Sequence, residues 1–203
     1  MLLLNGLKLT TAPAEGLITL EDARLQCRVD AWGSPPVHPE DPLLLAYIQG
    51  ATEELDGIDG WLNRALVTQT WQLTLNCFPC RPIRLPLPPL QSITSIIYDA
   101  TDGTATTLDA EDYRVITDTD PGQVEPVSSW PATKNQLGAV RITYVAGYGD
   151  AEDVPQIIRN YVRARVAQLY DFNKLVQGGS GPPVPVPYMR DNLESIRMRG
   201  VQP

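Results

Sequence analysis

The pair Cys77-Phe78-Pro79-Cys80 has the two-residue spacing of a redox dithiol or of half a zinc site. A thioredoxin-like dithiol places its first cysteine at a helix N-terminus after a strand, where the helix dipole favours the thiolate. Here Arg81-Pro82-Ile83 follows and reads as extended chain, and no second cysteine pair exists to complete a four-coordinate zinc. The spacing is therefore read as a turn between strands. His38, the only histidine, lies in Pro36-Val37-His38-Pro39, which leaves no Ser–His–Asp triad and no multi-histidine metal site to build. Asp109, Glu111 and Asp112, with Asp118 and Asp120, carry enough oxygens for a cation, but no Asp-x-Asp-x-Asp-Gly loop presents them and solvated turns are expected. Gly178-Gly179-Ser180-Gly181 lacks the following Gly-Lys-Ser/Thr that would cradle a phosphate. Trp61, Trp71 and Trp130 read as core or interface aromatics, and Cys27 as a small buried residue on a helix. No catalytic residue, cofactor or metal site is assigned, and the chain is not expected to be an enzyme.

What remains is a chain that would act by binding, and its bulk properties narrow the partners. At 203 residues and 43% apolar content it can form one ordinary core, or a core with a smaller module. A net charge of −8 argues against a main role in gripping nucleic acid, which needs clustered Lys and Arg. The charge is uneven: residues 1–153 hold nine basic and 21 acidic side chains, residues 154–203 seven and three. An acidic body with a basic end suits steering toward a complementary protein surface, or simply solvates two exteriors. Three cysteines without a dense framework point to a reducing compartment. No signal peptide or membrane span of about 20 apolar residues is read, so a soluble protein, cytoplasmic when made, is expected.

The elements that would carry such a surface change character along the chain. Residues 1–18 read as an irregular arm. Thr19-Leu20-Glu21-Asp22 resembles a capping box that opens a helix carrying Leu20, Ala23, Cys27 and Ala31, ended by Trp32-Gly33-Ser34-Pro35-Pro36. Asp41 as N-cap and Pro42 as first residue predict a second helix, with Leu44, Ile48, Ala51, Leu55 and Leu62 on one face, running to about Asn63. From Ala65 the period drops to two. Strands are predicted over 67–75, 83–85, 93–98, 104–108, 113–116, 123–125 and 139–145, with a hairpin at Asp102-Gly103. Short strands so spaced suggest a small antiparallel sandwich or barrel. Pro155 then opens a third helix, with Ile158, Val162, Val166 and Leu169 on one stripe, ending near Asn173.

The end of the chain is an extended tail. Gln177–Gly181 is flexible by composition, and Pro182-Pro183-Val184-Pro185-Val186-Pro187 favours polyproline II, giving a reach on the order of 40 Å from Leu175 to Pro187. Beyond it lies a short amphipathic segment, with Met189, Leu193 and Ile196 on one side and Arg190, Arg197 and Arg199 mostly on the other. A helix of about ten residues is marginal alone in water, so it must bury Leu193 and Ile196 against its own body or a neighbouring chain. Tyr188, Met189, Arg190, Leu193, Ile196, Arg197 and Arg199 are the candidate partner-binding residues.

Three segments, in this order and spacing, resemble the head–tail connector (adaptor) family of tailed phages. They are Asn63–Trp71, the run Phe78-Pro79 through Ile83-Arg84-Leu85-Pro86-Leu87-Pro88-Pro89-Leu90 to Tyr98, and Trp130-Pro131 followed by Val140–Gly149 and Val154–Ile158. The likeness covers roughly residues 40–172. It implies an α+β fold: a helical bundle from 19–64 and 150–174, a small antiparallel β-sandwich or barrel inserted over 65–149, and the 175–203 tail outside. It further implies a ring of copies, generally a dodecamer, at the head–tail junction of a virion or of a phage-derived gene transfer agent. The ring would meet the portal protein on one side and a tail-side stopper or tail terminator on the other, and DNA would pass through its channel without sequence-specific binding. Members carry no catalytic residues. Other readings are a different neck component, such as a stopper or tail-completion protein, and a non-viral peptide-binding module.

Overall fold

The computed structural model describes residues 6–30, 32–33, 36–178 and 193–198. The change of period near residue 65 becomes a change from helices to sheets in an α+β chain. Helices α1 (Leu20–Cys27), α2 (Asp41–Glu53) and α3 (Gln156–Gly178) pack on one another, while strands β1 (Leu7–Thr11), β2 (Gln69–Leu75), β3 (Ile83–Arg84), β4 (Leu90–Asp99), β5 (Ala105–Thr107), β6 (Tyr113–Ile116), β7 (Gln123–Pro126) and β8 (Val140–Ala146) form two antiparallel sheets. One sheet has the order β1-β2-β8-β4-β5, the other β3-β7-β6.

The sheets enclose an apolar core because alternate residues of β2 and β8 face the same way. Trp71, Leu73 and Leu75 lie opposite Tyr144, Ile142 and Val140, and Ile83, Leu85 and Val124 belong to the same cluster. Tyr144 satisfies its buried hydroxyl by donating to the Pro86 carbonyl at 2.9 Å, and burial pushes its phenol pKa up. The helices share a second cluster in which Leu44, Ile48 and Ala51 of α2 pack with Ile158, Val162 and Val166 of α3 and with Ala23 of α1. Gly147 joins the two regions. It has φ +128°, and a Cβ there would lie 2.6 Å from the Val67 carbonyl oxygen.

Five expectations are corrected. The 1–18 arm is not irregular throughout: Leu7–Thr11 forms β1, an edge strand paired with β2 from Leu7↔Leu73 onward. Its Leu-Lys-Leu-Thr-Thr alternation is short and its residues are largely exposed, which weakens the apolar signal. Helix α1 stops at Cys27, four residues before Ala31, because Arg28 turns left-handed (φ 55°) and its N–H reaches back to the Arg24 and Leu25 carbonyls. Helix α2 stops at Glu53 rather than Asn63, and Gly57 at φ +78° leads a tight loop in which Leu62 N–H donates to Leu55 O. Leu55 and Leu62 are both buried, so the apolar spacing that mimicked a longer helix serves the loop. Asp41 is not the N-cap, which is Glu40; the Asp41 carboxylate instead takes the Arg24 Nε at 2.8 Å and the His38 N–H at 2.8 Å, tying α1 to α2. The Thr19–Asp22 capping box is present as read, and α3 runs on from 173 to Gly178.

Candidate interaction site

The loop that follows α2 builds a receptor for the chain's own end. Asp56 organises it: its carboxylate accepts the Leu66 N–H at 2.8 Å and the Gln69 amide at 3.1 Å, locking the α2 exit to the start of β2. Burial, only partly offset by these donors, pushes the Asp56 carboxyl pKa up. Arg64 emerges from this loop nearly buried, and its guanidinium spans two regions. It donates from Nε to the Ile196 carbonyl at 2.6 Å and from Nη2 to Asp120 at 2.7 Å.

Residues 193–198 seat against this frame. Leu193 is completely buried in the helical cluster and Ile196 packs at its edge. Arg197 lies 4.7 Å from the centre of the Trp61 ring and donates to the Trp61 carbonyl at 3.0 Å, while the Met198 N–H donates to Leu62 O at 3.0 Å. Of the two destinations open from sequence, the segment takes its own body within the single chain. Its apolar side therefore faces inward, and Ser195 is the residue left exposed. Among the candidate partner-binding residues, Leu193, Ile196 and Arg197 come together here, whereas Tyr188, Met189, Arg190 and Arg199 lie outside the described residues. The sequence reading gave Arg64 and the 61–63 backbone no role here, and it took Asp120 for a solvated turn carboxylate rather than the partner of Arg64. The only signal was an arginine set in the apolar passage Leu62–Val67.

The chemistry-bearing residues are scattered. His38 accepts the Glu40 N–H on Nδ1 and meets the Trp32 ring edge-on. Asp109, Glu111 and Asp112 flank or form a 3-10 turn before β6, and Asp120 is committed to Arg64. Among the described residues no three His, Cys, Asp or Glu side chains gather as metal ligands, and no helix is long and apolar enough to cross a membrane. Cys77 and Cys80 are exposed and in no disulfide. They border a cleft of about 630 Å³ between the β2–β3 and β7–β8 loops. Phe78 and Trp130 stack in it at 4.6 Å and 3°, and Phe78 meets Tyr98 edge-on at 5.8 Å.

No protein-family profile matches this sequence, and no curated protein matches it. Solved structures do share its fold over nearly the whole chain. A chain in the neck of an empty gene transfer agent particle, computed with C6 symmetry, superposes with a TM-score of 0.77 at 21% identity, covering 98% of each chain. A chain in the virion of a native gene transfer agent particle gives 0.74 at 21% identity, covering 97% of this chain and 98% of that one. A third, in the neck of a native particle computed with C12 symmetry, gives 0.66 at 19% identity over 96% and 98%. The class defined at this point is an α+β fold common to this chain and chains of phage-like particles.

Proposed function

We propose that this chain is a structural head–tail connector (adaptor) subunit of a tailed phage or gene transfer agent, and not an enzyme. Copies form a ring at the neck that joins the portal protein to a tail-side protein and continues the DNA channel. The observation that carries this reading is the end-to-end fold match to a neck chain of a gene transfer agent particle, 98% of both chains. The acidic body fits a channel wall that must release passing DNA, since clustered cations would hold phosphate. In this reading the C-terminal segment carrying Tyr188, Met189, Arg190, Leu193, Ile196, Arg197 and Arg199 contacts the portal, and to do so Leu193 and Ile196 must leave the seat they take against the chain's own body.

Electron cryomicroscopy of particles made by the host is the test. The expected result is density for this chain in a closed ring directly below the portal, and tailless filled heads when the gene is deleted. Normal tailed particles from the deletion, or density elsewhere in the particle, would overturn the reading.

A further inference from the structure

We propose that the cleft between the Phe78 and Trp130 loops receives the proline run Pro182–Pro187 of a neighbouring copy. The proposal rests on the ring reading above, because it needs a second copy alongside. Two features support it. The cleft is lined by half-buried aromatic and proline side chains, Phe78, Pro79, Pro126, Trp130 and Pro131, a surface type that recognises polyproline II by packing rings on rings. The chain itself supplies that ligand, four prolines in six residues. Its proline carbonyls are acceptors with no competing N–H on the same residue, and exposed Arg81 at the cleft wall is a donor. Charge agrees as well: Glu125 lines the cleft, and Arg190 follows the run by three residues.

Reach selects the neighbour over the same chain. Helix α3 leads away from the sheets, since Arg165 meets Glu54 at the end of α2 while Tyr170 meets Glu40 before its start. That places Gly178 at the far end of the helices, about 20 Å or more from the α2–β2 junction given a rise of 1.5 Å per residue over α2. The cleft lies past the other end of β2, roughly 20 Å along the strand from that junction. The four residues from Gly178 to Pro182 span at most about 14 Å. No helix packs along a strand among the described residues, so the two legs do not fold back on each other and four residues fall short of the chain's own cleft, which leaves a copy packed alongside as the occupant.

The experiment titrates the isotope-labelled full chain with a synthetic peptide of residues 181–190 and follows amide shifts by NMR, beside a peptide with all four prolines replaced by serine. Saturable shifts confined to residues 77–82 and 125–133, with binding at least tenfold weaker for the serine peptide, are expected. Trp130→Ala should weaken binding at least tenfold. Because Trp130→Ala can disturb the β7–β8 loop, Ser128→Trp, which fills the cleft from an exposed position, should do the same while leaving all other shifts in place. Equal response to both peptides, shifts elsewhere, or full binding by Ser128→Trp would overturn the proposal. Particles that show the neck ring with an empty cleft defeat this inference alone, whereas absence of the chain from every neck defeats the ring reading and the neighbour with it.

Discussion

Asp41 and Asp56 are both carboxylates at helix–loop joints, yet their environments push them in opposite directions. Arg24 holds Asp41 ionised through its guanidinium, and despite partial desolvation the carboxyl pKa is pulled down to about 2. An unfolded aspartate titrates near 3.9. The pair therefore stabilises the fold above about pH 4, and its contribution fades as pH falls from about 4 toward 2. Asp41→Asn should lower the urea midpoint most at pH 7, and the gap to the parent should close by pH 2. A gap independent of pH would refute the assignment. For Asp56 the sign is reversed, since burial raises its folded pKa above the unfolded value. Its protonation favours folding in acid, and that contribution is lost as pH climbs from about 4 through the raised folded value. Asp56→Asn keeps an acceptor for the Leu66 N–H and removes the buried charge, so at pH 7 it should be tolerated. Asp56→Ala strands that N–H and should cost about 1–3 kcal/mol, measured by equilibrium urea unfolding.

At the scale of elements, the docked C-terminal segment is held by the buried Leu193 side chain, by hydrogen bonds from Arg64, Arg197 and the Met198 N–H, and by Arg197 against the Trp61 ring. Leu193→Ala removes the buried side chain, a change that costs about 2–5 kcal/mol where a core cannot relax. Here the chain has a cheaper response, which is to undock the segment. The expected outcome is loss of hydrogen-exchange protection at 196–198 with α1–α3 protection unchanged; protection lost evenly across the helices would contradict it. This element also marks how far the sequence could be read. Strand β6 has the bounds predicted for it, and β2, β4 and β8 shift by a few residues at most; in β2 and β8 the reason is that burial falls on every second residue along the whole strand. Edge strand β1 faces mostly water and left too few apolar positions to read. The α2 overrun arose because Leu55 and Leu62 keep helical spacing, although the helix ends at Glu53 and Gly57 turns the chain between them. In the tail the need of Leu193 and Ile196 for a cover was legible, although the described residues 193–198 form a turn rather than the amphipathic helix expected. Its cover was not, because the groups that hold it, Arg64 and the Ile196 carbonyl, are 132 residues apart and no local pattern encodes that pairing.

The whole molecule combines an acidic body with a basic end, and the two together frame the portal assignment. Seven of the 16 basic residues lie beyond residue 153, and Arg190, Arg197 and Arg199 fall in the last 14 positions. A chain truncated after Gly178 retains the helices and sheets but loses the Leu193 contact and these three arginines. It should still fold, with a modest fall in melting temperature, and should bind purified portal rings at least tenfold more weakly if the tail is the partner-facing element. The mechanism separates on salt. Arginine steering toward an acidic surface is screened within about 8 Å at physiological ionic strength, so raising salt should slow association of the intact chain and leave the truncated chain's rate nearly constant. Equal portal affinity for both chains would show that the tail serves only its own body. A rate insensitive to salt with affinity still lost would instead assign the contact to the apolar side chains Leu193 and Ile196, which must then leave their seat beside Trp61 to reach the portal.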